Sequence, residues 1–184
     1  MRVIAGSRGR IRLTTVKGDK VRPTTDRIKE TLFNILQPDI PGASFLDLFS
    51  GSGAIGIEAL SRGAKDAVLV EQDKDALACI RANLKATRFE TEAQVKAGDV
   101  LSVLRTLQHE PFDLIFMDPP YDMGWEEKVL TVLSEASYVD EYTKIIVEGS
   151  VDTELSYVEA LGFFVYREKS YGSNKHIFLE KRKL

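Results

Sequence analysis

The chain has 184 residues but a single cysteine, Cys79, and two histidines, His109 and His176. One cysteine excludes an internal disulfide and a cysteine-based zinc site, and two histidines are too few to suggest a metal centre, so no metal is expected. Cys79 falls in a helical pattern with Ala76, Leu77, Ile80 and Leu84, which points to the core. No run of about 18 apolar residues occurs, so a membrane-spanning helix is not expected. The N-terminus carries arginines without an apolar signal segment, and a soluble, cytoplasmic protein is expected. There is no internal repeat and no low-complexity segment. The net charge is only −3, which argues against tight non-specific binding to a polyanion.

That small net charge conceals an asymmetry. Residues 1–30 hold nine Lys/Arg against three acids, so the rest of the chain is strongly acidic. A basic arm on an acidic body is the electrostatic footprint of a local polyanion contact, although a solvated charged hairpin reads the same way. Hydrophobic content of 43% is enough for one domain with a sizeable core. The expected organisation is a single domain, 1–184, with a basic hairpin and helix over 1–40 and an α/β body over 41–184. Pro38–Gly42 is the joint between them.

Periodicity divides the chain into alternating elements. Residues 2–5 and 10–14 flank Gly6–Gly9 as a short hairpin. A helix is expected from about Thr25 to Leu36, with Pro38 and Pro41 ending it. Strands follow near 44–49, 67–71, 93–97, 112–117 and 143–148. Helices are expected near 54–62, 74–87, 100–108 and 125–136, with a weaker one near 153–160. Two final strands, about 163–169 and 175–181, pair antiparallel around Tyr171–Asn174. Such alternation implies a doubly wound α/β sheet whose ligands bind at the carboxyl ends of the strands.

Two motifs fall at those ends. The first is Phe45-Leu-Asp-Leu-Phe-Ser-Gly-Ser-Gly-Ala-Ile-Gly56, an apolar strand feeding a glycine loop and a helix. Gly51 and Gly53 allow a tight turn and close approach of a ligand. Gly51, Gly53 and Gly56 spell a dinucleotide fingerprint, and Glu71 stands 20 residues beyond Gly51. The loop alone therefore fits a nicotinamide-dependent oxidoreductase. Asp47 favours a cofactor with a cationic amino acid end instead, since a carboxylate there sits poorly against a pyrophosphate. Asp47 can equally be a loop-bracing acid, and Glu71 a solvated charge at a strand end. Phe49 and Gln72 flank these positions and join the candidate cofactor set. Asp99 and Val100 open the helix after the third body strand. Asp99 can cap that helix, accept an adenine amino group, or do both, with Val100 packed on the ring.

The second motif is Asp118-Pro119-Pro120-Tyr121, at the end of the apolar run Leu114–Met117. Two prolines supply no N–H and keep the chain from continuing as a helix. The Asp118 carboxylate and the Pro119 carbonyl can both accept from one amino group, while Tyr121 stacks on the ring that bears it.

Together with Arg22-Pro-Thr-Thr-Asp-Arg-Ile-Lys-Glu30 and Asp47–Ala64, these motifs resemble the RsmD-type methyltransferases, over nearly the whole chain. Val21 and Ser50 depart from the expected Thr and Ala. The resemblance implies a class I S-adenosylmethionine-dependent methyltransferase fold (Rossmann-like) with seven strands, the last reversed. It implies S-adenosylmethionine as cofactor and methylation of a guanine N2 in small-subunit ribosomal RNA, free or within an assembling particle. Other planar amines, such as adenine N6 in DNA or a protein glutamine, are the enzymatic alternative. A non-catalytic RNA-binding assembly factor is another, against which the complete Asp-Pro-Pro-Tyr box speaks. RNA contact is expected at Arg8, Arg10, Arg12, Arg22 and Thr24. Arg22 either faces the catalytic pocket or pairs with an acid such as Asp26.

Overall fold

The structure is a computed structural model that describes residues 1–16, 25–121 and 123–182. The elements are α1 (Asp26–Leu36), β1 (Ser44–Leu48), α2 (Ala54–Ser61), β2 (Asp66–Glu71), α3 (Lys74–Thr87), β3 (Ala93–Ala97), α4 (Val100–Thr106), β4 (Leu114–Met117), α5 (Trp125–Glu135), β5 (Lys144–Ser150), β6 (Phe163–Tyr171) and β7 (Asn174–Lys181). The seven strands form one sheet in the order β3-β2-β1-β4-β5-β7-β6. The first five are parallel, and β7 runs antiparallel to both β5 and β6. This is the seven-stranded α/β sheet with a reversed last strand that the resemblance implies.

Strand alternation sorts the apolar residues into two cores. Phe45, Leu69, Leu114, Phe116, Ile146 and Phe178 face the side covered by α1, α2 and α3. Leu46, Leu48, Val70, Ile115, Val147 and Leu179 face the side of α4 and α5. The three-layer arrangement follows, because a parallel sheet must bury both faces. The period of two also puts Asp47 on the α1–α3 side with Phe45.

Helix starts follow side-chain chemistry. Thr25 Oγ1 accepts from Ile28 N–H, Asp73 from Asp75 and Ala76 N–H, and Asp99 from Ser102 N–H. Each satisfies N–H groups that the first turn leaves without a helical partner.

Two expected elements differ. Residues 153–160 are turns rather than a helix: Val158, Ala160, Leu161 and Gly162 each donate to the carbonyl three residues back. Only Leu155 and Val158 of this stretch are buried, too little apolar surface to hold a regular helix against the sheet. The N-terminal hairpin is present but short and without regular strands: Val3, Arg10 and Leu13 N–H donate across it to Ile11, Val3 and Met1 carbonyls at 2.9, 2.8 and 3.1 Å, beside a bridge of Arg2 with Arg12 and a 3-10 turn at Gly6–Arg8. The N–H groups of Ile4 and Ala5 donate to the Glu58 carboxylate on α2, 2.8 and 3.1 Å away, and so leave the ladder.

Candidate active site

Four adjacent parallel strands, β3, β2, β1 and β4, end on one rim. At those ends stand Asp99, Glu71, the Gly51–Gly53 loop and Asp118. The parallel topology alone makes this coincidence, since every strand enters from the opposite edge.

Glu71 organises the loop. Its Oε2 accepts from Gly51 N–H at 2.8 Å, and its Oε1 from Gln72 and Asp73 N–H at 2.7 and 2.8 Å. A carboxylate has roughly four acceptor positions, so room is left for a hydroxyl. Gly51 and Gly53 have φ of +54° and +78°, a region that side chains rarely enter. A Cβ on Gly51 would meet nothing within 4 Å, so the loop is open on that side. Gly56 does a different job. A Cβ there would lie 3.1 Å from Leu69 and 3.3 Å from the Asp47 carboxylate. This glycine lets α2 sit close on the sheet.

Asp47 is 1% exposed beneath the loop and accepts from Gly56 N–H at 2.9 Å. The bracing role is therefore realised. Burial pushes its carboxyl up to about 7, the Gly56 N–H opposes this, and the Glu71 charge adds to it. Asp118 is partly buried. Burial first, then the charges of Glu148 and Asp47, push it up to about 8. A cluster of carboxylates at one rim favours a cation, whose arrival would restore their ionised forms.

Pro119 is buried, Pro120 exposed and Tyr121 37% exposed. Phe49 is partly buried and meets Trp125 of α5 edge to face, with centroids 5.6 Å apart. Gln72 is exposed, and Val100 is buried beside Asp99, which caps α4 as expected.

Over residues 1–180 the chain matches the sequence model of the family described as conserved hypothetical protein 95, the RsmD family. The chain belongs to that family. It is 39% identical over 173 residues to Ribosomal RNA small subunit methyltransferase D of Escherichia coli K12, covering 94% of this chain and 85% of that one. A solved structure of a hypothetical protein from Thermus thermophilus is 30% identical and superposes with a TM-score of 0.83, covering 98% of this chain and 99% of that one. Precorrin-6y C5,15-methyltransferase of Geobacter metallireducens GS-15 is 17% identical with a TM-score of 0.71, covering 92% of this chain and 94% of that one. That last likeness concerns the fold alone.

The RsmD-type site has a further wall that sequence reading did not find. Asn174 at the start of β7 donates from Nδ2 to the Tyr121 hydroxyl at 2.8 Å. Two residues on, His176 Nε2 lies 2.9 Å from Glu148 Oε2, and both side chains are buried. A carboxylate closing the apolar run 145–147 was a visible signal. Its neighbour in space was not, because β7 reaches β5 only by reversing direction.

In the basic arm of this RsmD-type chain, Arg8 is committed inward. Its Nε donates to Thr87 O at 2.7 Å, and its guanidinium lies over Phe89. Arg10 and Arg12 are exposed. Arg10 shares a cleft of about 440 Å³ with Arg2, Arg27, Asp26 and Glu30, so part of the arm's charge is compensated locally. Lys29 is buried, bonded to Glu58 and to the Arg2 carbonyl, and adds nothing to a surface field. Arg22 and Thr24 lie outside the described residues. Among the described residues, no group of three His, Cys, Asp or Glu could hold a metal ion, and no helix is long and apolar enough to cross a membrane.

Proposed function

We propose that this protein methylates the exocyclic N2 amine of a guanine in small-subunit ribosomal RNA, with S-adenosylmethionine as methyl donor. The observation that carries the reading is the partly buried Asp118 carboxyl at the end of β4, on the rim shared with Asp47, Glu71 and the open face of Gly51. The name of the Escherichia coli relative supports ribosomal RNA as the substrate class.

The residues present suit the donor. Glu71 has acceptor capacity left for a ribose hydroxyl, Asp47 and Asp118 favour its positive charge, and Asp99 with Val100 suits an adenine ring. When bound, S-adenosylmethionine supplies a methyl group on a sulfonium sulfur, which takes back the S–C bonding pair as the N–C bond forms.

The chain's own work is on the amine. The N2 lone pair of guanine is delocalised into its ring and is a poor nucleophile. Hydrogen bonds from the amine to the Asp118 carboxylate and the Pro119 carbonyl favour a pyramidal nitrogen with its lone pair available. Asp118 also opposes the positive charge that develops on nitrogen. The Tyr121 ring, tied to Asn174, offers a stacking face for a base turned out of its helix. The exposed Arg10 and Arg12 supply phosphate contacts.

The test is mass-spectrometric mapping of ribosomal RNA methylation in cells with and without the gene, with calorimetric titration of S-adenosylmethionine and NADH. Loss of one N2-methylguanine and binding of the sulfonium alone are expected. A modification missing from DNA or protein with the RNA map unchanged would transfer the reading to another planar amine.

A further inference from the structure

Glu148 and His176 stand beyond Asp118 in one rank across the sheet. Met117 pairs with Val147, so Asp118 and Glu148 occupy the next positions on the adjacent strands β4 and β5. Glu148 pairs with His176 on β7, and His176 with Lys169 on β6. The Glu148 and His176 side chains are 4% and 1% exposed, with His176 Nε2 2.9 Å from Glu148 Oε2. With Glu148 ionised, that nitrogen carries the hydrogen and donates it. The ring is held in place by Tyr171, Phe116 and Phe178, at centroid distances of 5.0, 6.0 and 6.5 Å.

The charged surroundings are specific. Asp118 feels Glu148 from β5 and Asp47 from β1, and Asp47 in turn feels Glu71 from β2. Cations stand at the far end: Lys169 in the rank itself and Arg27 of α1 across a cavity of about 520 Å³ lined also by Tyr171. Lys29 of α1 is engaged with Glu58 instead. Carboxylates this close do not all ionise together, and a shared proton stays on the member whose anion is least supported. The His176 hydrogen bond supports the anion on Glu148.

We propose that Glu148, fixed by His176 in the register position beside Asp118, is a positioning residue that readies Asp118 for a cationic methyl donor on the rim. The inference rests on the cofactor reading above. Donor binding then drives the Asp118 O–H proton into solvent and leaves the carboxylate that the amine requires. The sign follows by linkage: the empty protein holds the extra proton, so donor affinity rises with pH across the range where Asp118 titrates.

The experiment is calorimetric titration of the full chain with S-adenosylmethionine and with S-adenosylhomocysteine, in buffers of different ionisation enthalpy at pH 7. The two ligands differ by the sulfonium methyl. The wild type should release on the order of half a proton more with the sulfonium ligand. Asp118→Asn should reduce that excess to the share that Asp47 releases. Glu148→Gln should shrink the excess by removing the neighbouring carboxylate, and His176→Phe by freeing the Glu148 side chain from its place beside Asp118. Equal proton counts for the two ligands in the wild type would overturn the proposal, as would an excess undiminished in Asp118→Asn. Failure of either ligand to bind would instead overturn the cofactor reading. Carbon-13 NMR of the Asp118 carboxyl in the wild-type chain covers the case of a variant that does not fold. Titration far above the ordinary carboxylate range, abolished by S-adenosylmethionine, is expected, and an ordinary carboxylate titration refutes the proposal.

Discussion

Replacing Glu58 by alanine should be among the most damaging single changes in this protein, although Glu58 touches no part of the rim. Its side chain is fully buried on α2. It accepts from Ile4 and Ala5 N–H, from Arg62 Nε at 2.8 Å, and faces Lys29 Nζ at 3.3 Å. The alanine variant leaves a buried ammonium whose remaining acceptor is the Arg2 carbonyl, together with two N–H groups stripped of their acceptor. Breaking a buried ion pair from one side costs about 3–5 kcal/mol. For a chain of this size each kcal/mol lowers Tm by about 2–4 °C, so a fall of roughly 6–20 °C is expected. Lys29→Met should behave differently. Burial lowers the Lys29 pKa more than Glu58 raises it, so the pair does not fully offset desolvation. Glu58 keeps Arg62 and both N–H donors in that variant, and the change should be neutral or stabilising. The sign of the pH effect agrees: the unfolded chain binds this proton more tightly, so wild-type stability should rise towards alkaline pH and the rise should flatten in Lys29→Met. Urea denaturation of both variants measures these differences. A Glu58→Ala loss below about 1 kcal/mol, or a Lys29→Met loss as large as that of Glu58→Ala, would refute the assigned balance.

Three further outcomes follow from the site. Asp118→Ala should slow single-turnover methyl transfer at saturating donor by about a hundredfold or more; a wild-type rate would remove Asp118 from the chemistry. Asn174→Ala should weaken RNA binding by roughly 0.5–1.5 kcal/mol through the missing bond to Tyr121, and an unchanged filter-binding curve would detach Tyr121 from the RNA. Arg10→Ala/Arg12→Ala should flatten the salt dependence of RNA binding by about one unit of slope for each phosphate no longer neutralised, whereas Arg8→Ala should chiefly lower Tm; identical slopes would move the RNA surface to the Lys169–Lys175 connection.

The alternation of apolar runs, the glycine loop and Asp118–Tyr121 are local patterns, so the order of the elements and the rim could be read without coordinates. The strand ends were legible because a parallel sheet gathers them on one edge whatever the loops do. The hairpin of the arm was legible too, but its docking on α2 was not, because the Ile4 and Ala5 N–H groups are taken by Glu58, 53 to 54 residues away in sequence. The same holds for Arg8, which looks like surface charge until α3 supplies the Thr87 carbonyl and Phe89 places its ring beneath the guanidinium. Glu148, His176 and Asn174 belong to strands whose contact depends on an antiparallel return, and nothing in their spacing announces it. Local chemistry thus determined what each strand end offers. Which charges share a proton, and which are neutralised by a distant carboxylate, depended on distances that only the packed sheet sets.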